Sequence, residues 1–389
     1  MNWMLIAWRN LGAKKLSTAL SLVLLAFGVG MVSVLMLAER QLTSTFERNI
    51  RDIDLVLGAK GSPLQLILAN VYHVDAPTGN IRLSDAQRVM RHPYIASAIP
   101  LAYGDNHEGY RIIGTTAAYP EHYGMELAAG RTWNAPFEVV LGADVAAATG
   151  LGIGDTFFSA HGLQDATDVH TDKTFTVVGV YAKNRTVVDL LIICSMQTVW
   201  DVHGTEADAP REITAVLLKK RNPLAVLTLP NVIKDTNMQI ALPAIEVNRL
   251  TANFGLGMNA LRALAGLIVA ISFASIFISV YDSLLARRYE LAVMRTLGAS
   301  PLGVYGSLLL EGGLLSAGGA LLGLGVGRLG MVALATFVAD KFHYDLGTWA
   351  ILPGEGVLVA GAVAVGLIAA AIPGISVFRM DISKTLSEG

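Results

Sequence analysis

Four long apolar stretches constrain this chain more than any other feature, because an apolar run of about 20 residues has few places to go except a lipid bilayer. Leu16 to Ala38 carries no charge and lies between Lys14-Lys15 and Glu39-Arg40. Met258 to Tyr281 is interrupted only by Arg262, and Leu302 to Gly327 and Val357 to Phe378 complete the set. Composition agrees: 15% of the 389 residues are charged, against about 25% in soluble domains. The first stretch exceeds the 7–15 apolar residues of a signal peptide, and Met36-Leu37-Ala38-Glu39 is no A-x-A site, so an uncleaved anchor is expected.

Basic residues orient the spans. Arg9, Lys14 and Lys15 precede the first, Arg287, Arg288 and Arg295 lie between the second and third, and Arg379 and Lys384 follow the fourth. With alternating spans all three clusters share one face, the expected cytoplasmic side of a bacterial inner membrane, with both termini there. Residues 39–257, holding 23 acidic and 18 basic side chains, then form an extracytoplasmic domain inserted between spans 1 and 2. The expected organisation is 1–15 N-terminal helix, 16–38 span 1, 39–257 outer domain, 258–281 span 2, 282–301 connecting loop, 302–327 span 3, 328–356 outer loop, 357–378 span 4 and 379–389 tail. For residues 1–15, with Trp3 and Trp8 among aliphatics, an interfacial helix and a plain extension of span 1 both fit.

The outer domain reads as α+β. Its ends, Glu39 to Arg51 and Glu246 to Phe254, have helical apolar spacing and continue the spans as a paired stalk. Between them lie short β-type runs such as 110–114, 138–142, 174–181, 190–194 and 213–218, concentrated in about 110–218 and suggesting two lobes. Helical pieces at Ser84 to Arg91, opened by a Ser cap, and Asp144 to Thr149 are interleaved.

Chemistry-bearing motifs are sparse. One cysteine, Cys194, excludes an internal disulfide framework and reads as a buried strand thiol. Gly58-Ala59-Lys60-Gly61-Ser62-Pro63 lacks phosphate-loop spacing and reads as a turn. The apolar Leu64 to Val71 after it reads as core. His161, Asp165, Asp168, His170 and Asp172 fit no zinc template and read as a solvated loop. Neither H-E-x-x-H nor G-x-S-x-G occurs. A net charge of −2 gives no bulk attraction to nucleic acid.

Within the membrane segments, Gly319, Gly323 and Gly327 form a GxxxG ridge, expected to pack on span 4. Glu311 is an intramembrane carboxylate, expected to be a structural pair or cap rather than a proton carrier. Arg262 and Arg328 near the outer span ends are expected to snorkel.

The sharpest local signal is Arg287 to Ser300. Leu291 and Met294 on one side and charges on the other make a short amphipathic helix that stops at Gly298 before Pro301, a shape suited to a groove on a cytoplasmic partner. This stretch, with Arg287, Arg288, Glu290, Leu291, Met294, Arg295, Leu297 and Gly298, resembles the Arg-Arg-x-Glu…Gly-Ala element of ABC transporter permeases of the FtsX/MacB/lipoprotein-release superfamily. Ala7-Trp8-Arg9-Asn10-Leu11 is similar to that family's start, and 141–146 with Gly152-Ile153-Gly154-Asp155 to its "LG…A…GD" segment. Phe175 to Val180 and Ile372 to Leu386 match a strand and the tail, with Ser383 where proline is usual.

The resemblance implies a non-catalytic permease subunit worked by two copies of a separate ATPase. That partner would bind ATP and Mg and be gripped by the 287–298 helix, leaving this chain without a cofactor. It also implies a second permease subunit, identical or paralogous, and a periplasmic adaptor, lipoprotein or outer-membrane component as further partners besides membrane lipid. The activity implied is export, extrusion or lipoprotein handling by movement of the outer domains. The alternatives are a regulatory protein acting on a cell-wall hydrolase or a sensor kinase, and an anchored binding protein.

Overall fold

The computed structural model describes residues 3–160, 169–202, 210–342, 349 and 351–379. The chain divides into two compact units, one of Met1–Leu42 with Asn253–Gly389 and one of Thr43–Ala252.

The first unit is helical. A short helix, Trp3–Ala13, breaks at Lys14, and the first-span helix runs Lys15–Asn49. The N-terminal segment is therefore a separate helix and not an extension of the span. The second-span helix is Pro243–Ala286, the loop helix Arg288–Thr296, the third-span helix Pro301–Phe342 and the fourth Pro353–Gly374, continued by a 3₁₀ turn at Ile375–Arg379. Four of these are long and apolar enough to cross a membrane. Proline opens three of them, where a missing N–H costs nothing. The third and fourth helices reach well into the 328–356 segment expected as a loop. Glu355 caps the fourth by accepting from the Leu352 N–H at 3.3 Å.

Contacts fix the relative directions of the spans. Leu25 lies over Gly319, Val29 over Gly323 and Ser33 over Gly327, so the numbering rises together and helices 1 and 3 run parallel. Ser21 bonds Ser275 at 2.8 Å while Glu39 pairs with Arg262, so 1 and 2 are antiparallel. Gly312 meets Ala370 and Gly366 meets Ser316, so 3 and 4 are antiparallel. The glycine ridge thus packs on span 1, a correction to the span 4 partner expected from sequence. Span 1 supplies knobs with the same four-residue repeat as the glycine gaps, and the approach to span 4 uses Gly312 and Gly366 instead.

The second unit is a mixed sheet with helices. Its strands are β1 Leu55–Ala59, β2 Ile81–Arg82, β3 Ile95–His107, β4 Tyr110–Thr115, β5 Leu127–Gly130, β6 Glu138–Leu141, β7 Thr156–Ala160, β8 Val169–Tyr181, β9 Leu191–Ser195, β10 Glu212–Ile213, β11 Ala215–Lys220 and β12 Met238–Ala241. Among the described residues the sheet order is β12-β1-β11-β3-β4-β9-β6-β8-β5, with β7 bridging β3 and β8, and β2 pairs β10 separately. Of these pairs β4–β9 and β6–β8 are parallel.

Two apolar clusters pack along this one sheet. One gathers Leu55, Leu57, Val216, Leu218 and Leu229, the other Ile112, Val139, Phe175, Ile192 and Cys194. The two lobes expected from sequence are therefore two cores on a continuous sheet that begins at Leu55, not near residue 110. Gly58 lies in β1 instead of a turn. A Cβ there would sit 2.3 Å from the Leu66 side chain, so the glycine lets helix Pro63–Asn70 press on the strand, and Leu66, Ile67 and Ala69 are buried as the core reading expects. The Ser84 cap is corrected: the helix is Leu83–Met90, preceded by Arg82 with no side-chain cap. Helix Ala143–Thr149 ends on left-handed Gly150. His161, Asp165 and Asp168 lie outside the described residues, as does the tail with Lys384.

Candidate functional site

The helix between spans 2 and 3 is held at both ends by its sequence. Gly298, at φ +97°, closes a Schellman motif: the Ala299 N–H donates to the Met294 carbonyl at 3.0 Å and the Gly298 N–H to Arg295 at 3.2 Å. Two residues later the Ser300 Oγ accepts from the Gly303 N–H at 3.1 Å and starts the third span.

Its apolar side is already used. Leu291 is 4% exposed and Ala292 fully buried, packed with Leu284, Val304 and Leu308, and Met294 and Ala299 lean on the same core. The expectation that Leu291 and Met294 face a partner is therefore corrected. The flanking spans lie closest to those side chains, and burial follows whichever apolar neighbour is nearest. What faces outward is Arg288, Tyr289, Glu290, Thr296, Leu297 and Gly298, with Arg295 half-buried. Leu297 is 83% and Tyr289 52% exposed.

Behind this helix sits Glu311, 2% exposed in the third-span helix. It accepts from Asn10 of the N-terminal helix, lies 3.5 Å from the Ser283 hydroxyl of the second span, and is 3.5 Å from Arg287. Arg287 also reaches Glu290 at 3.0 Å. One buried carboxylate thus joins four segments, and Arg287 links it to the exposed helix. A carboxylate taken out of water inside a spanning helix is costly without partners, and this shared set of partners offsets that cost. Trp3 adds an apolar clasp, its ring lying where a Gly303 Cβ would project. Sequence reasoning singled out Glu311, Arg287 and Glu290 but not Asn10 or Ser283; a polar side chain in each apolar helix was the available signal.

At the other end of the helices Glu355 is buried, 2.8 Å from Arg328 and 3.0 Å from the Ser33 hydroxyl. Arg328 is therefore ion-paired inside the unit, a correction to snorkelling, because the fourth helix starts early enough to bring Glu355 beside it.

In the sheet unit, His73 (φ +56°) is half-buried between Tyr103 and Tyr119, with ring nitrogens 2.6 and 2.8 Å from their hydroxyls. Tyr103 donates to the Ala69 carbonyl, so it accepts from Nδ1–H, leaving Nε2 to accept from Tyr119. Burial, with Arg111 nearby, lowers the His73 pKa to about 3. Arg111 grips the His73 and Asp75 carbonyls at 3.0 and 2.5 Å. Nothing in the sequence pattern marked this pin, which ties the segment after helix Pro63–Asn70 to β3 and β4. Cys194 is buried, its thiol pushed up to about 12 by desolvation. Among the described residues no group of three or more His, Cys, Asp and Glu side chains is placed to hold a metal ion.

Comparison with known proteins follows the same division. The MacB-like periplasmic core domain family matches residues 18–226, and the FtsX-like permease C-terminal family matches 262–382. Among curated proteins nothing matches. The periplasmic region of MacB from Actinobacillus actinomycetemcomitans is 16% identical, covering 52% of this chain and 96% of that one at a TM-score of 0.35. The extracellular domain of the noncanonic ABC-type transporter YknZ from Gram-positive bacteria is 12% identical, covering 48% and 98% at 0.32. With one family spanning more than half of the chain and the second most of the remainder, this protein is a transmembrane member of the FtsX/MacB-type ABC permease family, with a periplasmic-type domain.

Proposed function

We propose that this chain is the permease subunit of an ABC system in which a separate ATPase drives motion of the outer domain, for export, extrusion or lipoprotein handling. The observation that carries this reading is the loop helix. Its apolar side is spent on its own spans, Tyr289 and Glu290 in its first turn and Leu297 at its close are open, and Arg287 ties it to a carboxylate buried among three other helices. A push on the open side is transmitted to the spans through charged and hydrogen-bonded contacts instead of being absorbed by a slack loop. Spans 1 and 2 continue as helices beyond membrane length, since 35 and 44 residues correspond to about 50 and 65 Å at 1.5 Å per residue, against about 30 Å of hydrocarbon. They are suited to carry displacement outward.

In this reading the basic clusters, both termini and the loop helix are cytoplasmic, and residues 43–252 are inserted between spans 1 and 2 on the periplasmic side. ATP and Mg belong to the partner. Two permease subunits, identical or paralogous, work with two ATPases. The decisive experiment is affinity purification of the full chain with its genomic-neighbour ATPase from native membranes. Recovery of the pair, abolished by Glu290→Arg with Leu297→Glu while the chain stays folded, is the expected outcome. Full recovery with that double variant would overturn the assignment of the docking face.

A further inference from the structure

Between the N-terminal helix, the start of span 1 and span 3 runs a groove of about 680 Å³, lined by Trp8, Gly12, Lys15, Leu22, Gly318 and Leu322 among others. Its body is aliphatic; its mouth carries an indole and an exposed lysine. Consecutive lysines diverge here: Lys14 lines the small cleft beside Glu311, while Lys15 lines this groove. The break between the two helices, tied by the Thr18 hydroxyl donating to the Leu11 carbonyl at 2.9 Å, holds the mouth open. A Cβ at Gly12 would meet nothing within 4 Å.

We propose that the groove binds one anionic phospholipid, its headgroup phosphate on Lys15 beneath Trp8 and one acyl chain lying against Leu22, Gly318 and Leu322. Two observations choose this occupant. Leu322, between Gly319 and Gly323, lies level with about residue 28 of span 1, so the groove runs about 20 Å from Lys15, roughly half of a bilayer with its headgroup regions, and takes a chain entering from one surface and not a crossing helix. A second copy of this chain, docked about a two-fold axis, would bring Lys15 towards Lys15, whereas an anionic headgroup complements that charge. Trp8 sits where indoles gather at the headgroup level. Which leaflet this is follows from the topology proposed above; the binding itself does not depend on the ATPase.

The test is native mass spectrometry of the full chain, delipidated in detergent and titrated with phosphatidylglycerol or phosphatidylcholine of identical acyl chains. One phosphatidylglycerol per chain, retained about fivefold over phosphatidylcholine as expected for a single lysine contact, is the predicted result. Lys15→Gln brings the ratio to parity, and Gly12→Leu, which projects into open space, removes retention of both lipids. An unchanged ratio with Lys15→Gln, or unchanged retention with Gly12→Leu, overturns the proposal. So does an intermolecular disulfide between Thr18→Cys chains in native membranes, which would assign the groove to a second copy. The native Cys194 is buried and does not compete in that assay.

Discussion

Leu297 and Leu291 belong to the same fourteen-residue motif and face opposite fates, which makes them a matched pair for testing the docking surface. Leu297 is 83% exposed and Leu291 4% exposed. Burying a leucine contributes about 1.5–3 kcal/mol, and Leu297→Ala keeps only the Cβ. If the ATPase covers Leu297, the substitution costs about 1.5 kcal/mol of binding, about tenfold in Kd. Its side chain is so open that truncation removes little packing within the chain, and stability should move by less than about 0.5 kcal/mol. Leu291→Ala does the reverse, opening a cavity beside Leu284 and Val304 at about 2–5 kcal/mol of stability. The assay is titration of the ATPase onto the chain in lipid nanodiscs, with thermal unfolding of the same samples. The reasoning is refuted if Leu297→Ala binds within twofold of the native chain while Met294→Asp abolishes binding at unchanged stability, since the inward side would then be the docking side.

Three further outcomes follow from the geometry. Arg287→Gln removes the guanidinium beside Glu311 and leaves the contacts with Asn10 and Ser283. It should lower stability by about 2–3 kcal/mol, below the range for a buried charge stripped of all partners, and the double exchange Arg287→Glu with Glu311→Arg should recover part of it in chemical unfolding. Gly323→Leu, whose Cβ would lie 2.7 Å from the Val29 Cβ, should push span 3 off span 1 at about 1–3 kcal/mol. Loss of disulfide formation between Val34→Cys and Gly330→Cys, where a Cβ at Gly330 would lie 3.0 Å from the Val34 Cγ2, reads that separation directly. Because the folded-state pKa of His73 is held to about 3 and the unfolded one is near 6.5, the unfolded chain binds the extra proton between those values. Its contribution is complete above pH 6.5 and falls as pH drops, by about 3 kcal/mol at pH 4. His73→Gln should flatten that part of the pH–stability profile of the full chain.

The four spans were legible because length and apolarity are local properties, and the loop helix because Gly298 and Pro301 punctuate it. The strand ladder of the outer domain was only half visible. Runs such as Phe175 to Val180 and Leu191 to Cys194 are rich in β-branched residues and continuous, but β1 hides behind Gly58 and Gly61, which read as a turn until Leu66 is seen pressing on the strand. The parallel partners β4 with β9 and β6 with β8 lie dozens of residues apart, and no local pattern encodes their register. The direction of the loop helix is hidden for a related reason. Amphipathicity says that Leu291 and Met294 will be covered, not whether the cover belongs to the same chain.

The glycine ridge shows what decides such cases. Gly319, Gly323 and Gly327 announce a close approach but leave its partner open, because spans 1, 2 and 4 are all apolar and lipid gives no preference among them. Choice then rests on shape and on the few polar side chains that need company. Span 1 offers Leu25, Val29 and Ser33 at the same repeat as the gaps, and Ser33 also bonds Glu355, which holds Arg328. At the opposite end Asn10 and Arg287 converge on Glu311 of the same third span. Span 3 is therefore pinned at both ends by buried carboxylates, its own Glu311 and Glu355 of span 4, with a smooth glycine track on span 1 between them. Small side chains permit sliding or rotation along the track, while the end pins limit how far it can go. Loosening one pin at a time, by Glu311→Gln or Glu355→Gln, should leave the helices folded yet change the disulfide yield of the Val34→Cys and Gly330→Cys pair most for the nearer pin, Glu355. Equal yields in both variants would mean that span 3 moves as a rigid rod and that the two ends are not independent restraints.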